Sequence, residues 1–413
     1  MSLEQKIPAG WKKIRLADAC LRITQGPNPK YDKAGVAAYR VLKTKDIYDD
    51  RIRYDSADTI SAKVFDENFK SELIKGDLIL AIVGKGSINK CNVFEGSSGV
   101  RFIFTRALGL IRPNSKILNP YFLKYVLQSD LGKSMIDAGI GGTSGQQVVT
   151  TTHLKGLGFL LPPLDEQRRI VAMLDKGFAG IATATANAQK NLTNARALFE
   201  NYLESIATGK GHGWTTTPLG EVCETQYGIS GTMNTQGVGY KIFRMGEVQG
   251  GRMVDTGQMK HIDMAAADFE PYRLRKGDVL FNRTNSIALV GKTGVFSLEG
   301  PYCFASYLIR VIFDPKKMAS RFAGYVMNSN SFLEKVRAKA AQSVNQANIN
   351  ATILRAEVIN YPVDVSVQNE IVVRLDTFSE HIQALQAVYQ AKLAAFAELK
   401  QSLLQKAFAG ELT

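Results

Sequence analysis

Two short stretches of the chain come near motifs of phosphate or methyl-transfer chemistry, and both depart from what that chemistry needs. SIALVGKT (286–293) approaches a phosphate-binding loop, but Ser286 stands where the first glycine belongs. The GVFSLEG that follows is typical of a strand and a turn, whereas the phosphate-binding motif requires a helix. LNPYF (118–122) faintly resembles an adenine-methylation loop, but it has one proline and opens a helix. We expect neither stretch to be a catalytic site.

Cysteine and histidine spacing gives no metal or redox motif. Cys20, Cys91, Cys223 and Cys303 lie far apart without a C-x-x-C pair, and no two histidines form H-x-x-x-H. We therefore expect buried thiols in a reducing compartment, with neither a disulfide frame nor a metal site. The prediction is that this chain binds no cofactor of its own.

Dispersed acids are the remaining route to catalysis. The most visible ones stand in two KGD triplets, as Asp77 and Asp278, and we interpret both as residues that cap turns. A DNA-cleaving or RNA-binding enzyme is kept as one alternative. Cleavage of DNA by the isolated chain with a divalent metal would favour it.

Net charge favours a polyanionic partner. The 413 residues carry 51 Lys+Arg against 38 Asp+Glu, a net charge of +13. There is no basic low-complexity tail, so folded surfaces must bind the partner. No apolar run reaches the roughly 18 residues of a membrane span, and the N-terminal MSLEQKIPAGWKK lacks the apolar core of a signal peptide. We expect a cytoplasmic protein that does not bind membranes.

Polar, glycine-containing loops near basic residues are the candidates for binding such a partner. Base edges need hydrogen-bond donors and acceptors, whereas phosphates need positive charge. Six loops combine both: 24–33, 83–91 and 141–147, then 227–234, 282–292 and 342–348. The residues predicted to contact DNA are Gln25, Asn28, Lys30, Lys85, Ser87, Asn89, Lys90, Thr143, Ser144, Gln146, Tyr227, Ser230, Arg283, Thr284, Asn285, Lys292, Ser343, Asn345 and Gln346.

The elements that position these loops occur twice. WKKIRLADACLRITQG (11–26) resembles WTTTPLGEVCETQYG (214–228), and KGDLILAIVG (75–84) resembles KGDVLFNRTN (276–285). Such matches stay collinear along the chain at a spacing of about 201 residues. We infer an internal duplication.

Each copy presents the same order of signals. Short β-branched and aromatic runs such as DLILAIV (77–83) and RFIFT (101–105) predict strands. An amphipathic helix follows, over 120–138 in the first copy and 319–340 in the second, and then a polar loop. Each copy is therefore predicted to be an α+β globule followed by one long helix.

The long helices have clear start and stop signals. LPPLDEQRRIVAMLD (161–175) begins one and YPVDVSVQNEIVVRLD (361–376) the other, with Asp165 and Ser366 near their first turns. Gly209 and Gly410 are expected to be left-handed C-terminal caps. Each helix spans about 40 residues, or roughly 60 Å, which is longer than one globule can cover.

Both helices carry an apolar seam with alternating spacings of three and four, which is typical of a coiled coil. We predict that the two seams pack on each other. A duplication joined by the short link 209–214 favours the antiparallel arrangement, with one globule at each end. The residues predicted for the seam and for partner contacts are Glu166, Gln167, Ile170, Leu174, Phe178, Ile181, Leu192, Phe199, Gln368, Ile371, Leu375, Phe378, Ile382, Leu393, Phe396 and Leu403.

Three motifs carry a family resemblance that covers the whole chain. PPLDEQRRIVAMLD, the later Q-x-E-I-V-x-R-L-D and the C-terminal LLQKAFAGEL resemble the specificity subunit of type I DNA restriction–modification systems. The matching positions are Pro162, Pro163, Glu166, Gln167, Ile170, Leu174 and Asp175, then Pro362, Gln368, Ile371, Leu375 and Asp376. The second copy departs from the pattern at 362–366, where PVDVS adds two residues.

The resemblance implies two homologous target-recognition domains, separated by two long helices that form an antiparallel coiled coil, each domain reading half of a bipartite double-stranded DNA target. It also implies that the helices dock two methyltransferase subunits, which recruit the restriction/translocase subunits. S-adenosylmethionine, ATP and Mg are then expected on the partners, and this chain is not expected to be an enzyme. The implied segments are 1–160, 161–210, 211–360 and 361–413. A DNA-recognition module of another, type II-like methylation or nuclease system is the other alternative.

Overall fold

The computed structural model describes residues 7–30, 35–142, 147–343 and 346–412. The chain forms two compact units. Unit 1 comprises Met1–Ala188 together with Ala391–Thr413, and unit 2 comprises Gln189–Gln390. Each of the two long helices therefore contributes residues to both units. No helix within the described ranges combines the length and the apolar character that a membrane span needs.

Unit 1 is built from short strands and short helices that precede the first long helix. Its strands are β1 (Lys12–Arg15), β2 (Cys20–Gln25), β3 (Val36–Leu42), β4 (Asp58–Ile60), β5 (Leu78–Ala81), β6 (Cys91–Val93), β7 (Arg101–Phe104), β8 (Leu108–Pro113), β9 (Ile140–Gly141), β10 (Val148–Val149) and β11 (Gly158–Leu161). Its helices are α1 (Ala62–Glu67), α2 (Pro120–Gln128), α3 (Asp130–Asp137) and α4 (Thr151–Gly156), with 3-10 turns at Leu16–Ala19, Thr44–Asp46 and Phe69–Ser71.

Two sheets carry most of unit 1. One has the antiparallel order β2-β8-β5-β6, and the other has the order β4-β3-β7 with β3 parallel to β7. The pairs β1–β11 and β9–β10 stand apart from them.

Strand β5 shows why DLILAIV reads as a continuous apolar run. Successive side chains of a strand point to opposite faces. Leu78 and Leu80 pack with Phe122 of α2, whereas Ile79 packs with Phe102 of the second sheet. Because both faces of β5 are covered, all of its residues are buried.

Unit 2 repeats this arrangement with some added strands. Its strands are β12 (Trp214–Pro218), β13 (Cys223–Tyr227), β14 (Tyr240–Phe243), β15 (Val248–Gln249), β16 (Arg252–Met253), β17 (His261–Ile262), β18 (Val279–Asn282), β19 (Thr284–Asn285), β20 (Thr293–Val295), β21 (Tyr302–Phe304), β22 (Leu308–Phe313), β23 (Ala341–Ser343), β24 (Gln346–Asn348) and β25 (Val358–Pro362). Its short helices are α6 (Ala266–Phe269), α7 (Ser320–Val326), α8 (Asn330–Ala338) and α9 (Ala351–Arg355), with 3-10 turns at Leu219–Glu221, Met245–Glu247 and Glu270–Tyr272.

The sheets of unit 2 have the orders β13-β22-β18-β20-β16-β15, β17-β14-β21 and β19-β24-β23. Strands β13, β22, β18 and β20 correspond to β2, β8, β5 and β6 of unit 1. The core again lies on both faces of the central strand, with Phe281 facing Phe322 and Leu280 facing Phe304. The same strand order in the two units agrees with the sequence matches.

The long helices are α5 (Leu164–Ala207) and α10 (Val365–Ala409). Both start within four residues of the predicted proline signals. Gly410 has a φ of +77°, as expected for a left-handed cap. The expectation for Gly209 was wrong, because Gly209 does not have a positive φ; a Cβ there would lie 2.8 Å from the Trp214 ring, so close packing requires glycine.

Two other details differ from the sequence predictions. The N-cap of α10 is Asp364, whose Oδ1 accepts from the Ser366 backbone N–H at 2.8 Å, so Ser366 is not the cap. The single helices predicted over 120–138 and 319–340 are each split in two. The second helix of each pair starts at a serine cap, Ser129 or Ser329, whose hydroxyl accepts a backbone N–H.

Candidate nucleic-acid interface

In unit 1, the polar loops predicted to contact DNA meet at one end of a sheet. Strand β2 ends at Gln25 and β5 ends at Ala81. Strand β8 is antiparallel to both and begins at Leu108, so the loops after β2 and β5 share this end with the turn before β8. Val148 bridges Val83 and adds the pair β9–β10. We call this surface edge 1; its described residues are 25–30, 82–90, 105–107, 140–142 and 147–149.

The first loop of edge 1 depends on a glycine. A Cβ atom on Gly26 would lie 2.5 Å from the carbonyl oxygen of Thr105, so only glycine lets the chain leave β2 at this point. The Gln25 amide is fixed beside it, because its Nε2 donates to the carbonyl of Arg106 at 2.6 Å. Neither contact is visible from the sequence.

Backbone geometry shapes the second loop. Gly84, Gly86 and Asn89 have φ values of +106°, +76° and +79°, in the left-handed region that favours glycine. The Gly84 N–H donates to the carbonyl of Gln147 at 3.0 Å and ties this loop to the strand pair. The Asn89 side chain donates to Asp137 Oδ1 at 2.8 Å, so its donor is engaged within the chain.

The other residues predicted for edge 1 differ in exposure. Asn28, Lys30 and Lys85 are exposed, whereas Ser87 is partly buried. Lys90 is also partly buried, with its Nζ 5.8 Å from the ring centroid of Tyr48. Thr143, Ser144 and Gln146 lie outside the described residues.

Unit 2 gathers its predicted loops in the same way. Strands β13 and β18 end at Tyr227 and Asn282, and the antiparallel β22 begins at Leu308. A Cβ atom on Gly228 would lie 2.3 Å from the carbonyl oxygen of Ala305, as at Gly26 in unit 1. We call this surface edge 2; its described residues are 227–230, 282–292, 305–307, 341–343 and 346–348.

Arg283 connects three parts of edge 2. Its guanidinium carbon lies 5.0 Å from the Tyr227 ring centroid. Its NH1 group donates to the carbonyl of Ser306 at 3.2 Å, and its NH2 group donates to Asn348 Oδ1 at 2.9 Å. Asn348 in turn donates to Thr284 Oγ1 at 3.0 Å. The fold thus brings together three residues chosen from sequence, along with Asn348, which sequence reasoning did not single out.

The rest of edge 2 is more open. Asn285 Oδ1 accepts from the Ser286 backbone N–H at 2.8 Å. The exposed predicted residues are Ser230, Lys292 and Gln346. Asn345 lies outside the described residues, and the side chain of Ser343 is not described.

Arg337 is a supporting residue that sequence reasoning missed. It lies on α8, outside every predicted loop, and donates to the carbonyls of Val290 and Ala288 at 3.0 Å each. Burial lowers the pKa of its guanidinium. These bonds fix the loop that follows β18. The only sequence signal was an arginine in the last turn of a predicted helix, which is uninformative.

The start of α5 is anchored by Gln167, which is fully buried. Its Nε2 donates to the carbonyls of Ile117 and Pro162 at 2.9 Å each, and its Oε1 accepts from the Asn119 N–H at 2.8 Å. Three backbone groups of unit 1 are therefore satisfied by one side chain.

Gln368 does the same for α10 in unit 2. It donates to the carbonyls of Lys317 and Pro362 and accepts from the Ala319 N–H at 2.7 Å. The extra residues at 362–366 leave this anchor intact. The motif glutamines are thus structural residues that attach each long helix to the globule before it.

The predicted seam residues are mostly buried within their own units. In unit 1, Leu174 packs with Leu404, and Lys400 Nζ lies 5.1 Å from the Phe178 ring. In unit 2, Phe199 and Phe378 have ring centroids 6.0 Å apart. Buried seam residues are Ile170, Leu174, Leu192, Leu375 and Ile382. Partly buried ones are Glu166, Phe178, Ile181, Phe199, Ile371, Phe378, Leu393, Phe396 and Leu403.

The KGD aspartates do more than cap turns. Asp77 Oδ2 accepts from the Ile74 N–H at 2.8 Å, as a turn cap does, and Asp278 accepts from Arg275 at 2.7 Å. Each also forms a salt bridge to β8 or β22, Asp77 with Arg112 at 2.7 Å and Asp278 with Arg310 at 2.6 Å. Their position in the core explains their presence in both copies.

Cysteines and metal-binding groups take no part in either edge. Burial raises the pKa of the Cys91 thiol to about 12 and of the Cys223 thiol to about 11, so thiolate reactivity is low. In the described ranges, His, Cys, Asp and Glu side chains form no group of three or more that could hold a metal ion. The stretch 286–293 runs into strand β20, as its sequence predicted.

Two units of one plan, each with polar loops at one sheet end, define a duplicated recognition protein. The family model for the type I restriction modification DNA specificity domain matches residues 8–193 and again 211–392. The chain belongs to this family. Specificity subunits of the family are in general non-catalytic.

Curated relatives and solved structures agree with that assignment. The chain is 25% identical over 357 residues to the EcoKI specificity subunit of Escherichia coli K12, and 24% over 346 residues to the StySPI specificity subunit of Salmonella potsdam. Each alignment covers 81% of this chain and 72% of the relative.

The fold is shared with two solved chains that are each 23% identical. One comes from a structural study of complex assembly and conformational transition in a type I R-M system; its TM-score is 0.78, over 98% of this chain and 100% of that one. The other is the HsdS subunit from Thermoanaerobacter tengcongensis, with a TM-score of 0.63 over 100% of both chains.

Proposed function

We propose that the chain is the sequence-specific DNA-recognition subunit of a type I restriction–modification complex. Edge 1 and edge 2 each read one half of a bipartite double-stranded target. One observation carries this proposal: in a chain of the DNA specificity family, the predicted contact loops gather at the same sheet end in both units. Diverged loops on a common scaffold suit two different half-sites.

The helices α5 and α10 set the distance between the half-sites as an antiparallel coiled coil within a pseudo-twofold repeat of about 201 residues. The support is the order of side-chain contacts inside each unit. In unit 1, Phe178 contacts Lys400, and in unit 2, Phe199 contacts Phe378. Residue numbers thus fall along α10 as they rise along α5. The domain boundaries we propose are 1–160, 161–210, 211–360 and 361–413.

The same helices dock two methyltransferase subunits, through which restriction/translocase subunits join. An open apolar groove on unit 1 supports a docking role: Gly177 and Gly180 of α5 leave space between Met173 and Leu399, which are 38% and 46% exposed. Such exposed apolar surface is typical of a protein contact. S-adenosylmethionine, ATP and Mg belong to these partners, and the complex is cytoplasmic.

A genome-wide map of methylated adenines, with and without this gene, tests the function. We expect loss of one motif, made of two short halves around a fixed unspecific gap. An unchanged map in a strain that expresses the partner subunits would contradict the proposal. Purification of the chain with its bound proteins tests the docking separately, because two methyltransferase subunits per chain are expected.

A further inference from the structure

Three cations of unit 1 converge on one tyrosine ring next to edge 1. The guanidinium carbons of Arg51 and Arg53 lie 5.5 and 4.7 Å from the Tyr48 ring centroid, and Lys90 Nζ lies 5.8 Å from it. The aromatic face attracts each cation, but the three like charges repel one another. We call these four residues the Tyr48 cluster.

Carboxylates neutralise only part of this charge. Asp50 pairs with Arg51 at 2.7 Å, an exposed contact of low strength. Asp49 Oδ1 accepts from the Cys91 backbone N–H at 3.3 Å. Among the described residues, no carboxylate lies within salt-bridge distance of Arg53 or Lys90. The cluster therefore keeps an excess of positive charge.

The cluster lies at the same sheet end as edge 1. The carbonyl of Lys90 accepts from the Ala81 N–H at 2.8 Å, where β5 ends. The carbonyl of Tyr48 accepts from the Asn92 side chain at 3.1 Å, one residue beyond the start of β6. A strand of DNA on edge 1 would pass beside the cluster, while bases facing the loops would lie away from it.

The fold does not require this arrangement, because unit 2 lacks it. Arg53 and Val254 are equivalent, since each N–H donates at 2.9 Å to the carbonyl of the acidic residue that ends a 3-10 turn, Asp46 or Glu247. By the same register Gln249 takes the place of Tyr48. A stabilising role common to both globules cannot explain a cluster that occurs in one.

We propose that the Tyr48 cluster binds phosphates of the DNA backbone beside the half-site of unit 1. Arginine binds phosphate through paired N–H groups, and lysine adds a point charge. The inference rests on the proposed function and deepens it, because it assigns backbone contacts that hold the duplex in register without reading sequence. Unit 2 must position its half-site by other residues.

Salt dependence of DNA binding by the full chain, with its partner subunits when these co-purify, tests the proposal. The variant R51A/R53A/K90A is compared with the unchanged chain on a duplex that contains the mapped target and on an unrelated duplex. Each lost phosphate contact lowers the slope of log K against log salt by about 0.9. For three contacts, the affinity lost between 50 and 200 mM salt becomes roughly 40-fold smaller, on both duplexes alike.

K63A/K70A/K116A is the matched control, because it removes the same charge from exposed positions at the other end of unit 1. Its slope should stay unchanged. Tyr48→Ala should lower the slope in part, whereas Tyr48→Phe keeps the ring and should not. Thermal unfolding verifies that each variant is folded.

An unchanged slope in the triple variant, or a loss confined to the target duplex, would overturn the inference while leaving the proposed function in place. Weakened binding to duplex RNA without weakened binding to DNA would also overturn it. Failure of the unchanged chain to bind any duplex would instead contradict the proposed function, and the inference with it.

Discussion

At the scale of single residues, buried polar side chains do the work of joining elements. Gln167 and Gln368 each satisfy three backbone groups that the start of a long helix and the segment before a short helix leave unpaired. Leaving such a group buried without a partner costs about 1–3 kcal/mol. The cost falls on the attachment of the helix to its globule.

Replacing Gln167 with alanine is therefore expected to lower the free energy of unfolding by about 2–4 kcal/mol. Chemical denaturation measures the change. Gln383→Ala is the control, since Gln383 is an exposed glutamine on a long helix and should change stability by less than about 0.5 kcal/mol. Equal effects of the two substitutions would show that the anchor is unimportant.

The buried ion pair of unit 2 makes a second residue-scale prediction. Arg310 and Asp278 have side chains only 8% and 7% exposed. Asp278→Asn leaves the guanidinium buried without its counter-charge, which is expected to cost about 3–5 kcal/mol. Asp50→Asn breaks the exposed pair with Arg51 and should cost less than about 1 kcal/mol. Denaturation of both variants compares them; a small effect at Asp278 would contradict the argument.

At the scale of elements, the sequence predicted helices and strands better than the contacts between them. Periodicity and prolines located α5 and α10, and the apolar run DLILAIV located β5. Ser129 and Ser329 were not recognised as caps inside a helical pattern, so two helices were predicted as one. The reason is that a serine is compatible with both a helix interior and an N-cap until its hydroxyl has a partner.

The candidate edges were predictable as loops but not as networks. Arg283, Thr284 and Tyr227 were chosen for their polar character, and their mutual contacts through Asn348 depend on how β19 pairs with β24. The Tyr48 cluster was missed because Arg51 and Arg53 lie outside glycine-rich loops. Pairwise contacts over such separations are decided by tertiary packing, which a single sequence does not record.

Arg283→Ala is expected to change recognition of one half-site only, because the residue orders loops within unit 2. Its loss removes two hydrogen bonds and the contact with Tyr227, so one half of the methylated motif should become less defined. Mapping methylated adenines measures this. Arg273→Ala removes an exposed arginine at the opposite end of β18 and should leave the motif unchanged. Changes in both halves would contradict a separate edge 2.

At the scale of the whole molecule, the duplication was the most reliable feature of the sequence. Collinear matches such as Trp11 with Trp214 and the two KGD triplets survive because they serve the core, whereas the loops between them differ. The two units indeed share one strand order. The target sequence has no comparable signature, since base contacts depend on loop geometry and DNA shape.

Deleting one heptad from both long helices, 182–188 and 383–389, is expected to shorten the unspecific gap of the target by about 3 base pairs. A heptad rises about 10 Å, and DNA rises about 3.4 Å per base pair. Methylation mapping measures the gap. Replacing the same heptads with others of equal length and seam pattern is the control, and should preserve the gap. A gap unchanged by the deletion would rule out the helices as its determinant.

Unit 1 is completed by the last residues of the chain. Leu404 and Ala407 are fully buried in the same core as Trp11 and Ile170. Unit 2, by contrast, is one continuous segment. During translation, domains generally fold from the N-terminus onward. Here the ribosome must finish α10 before the core of unit 1 can close, so the unit that is synthesised first is the last to complete its fold.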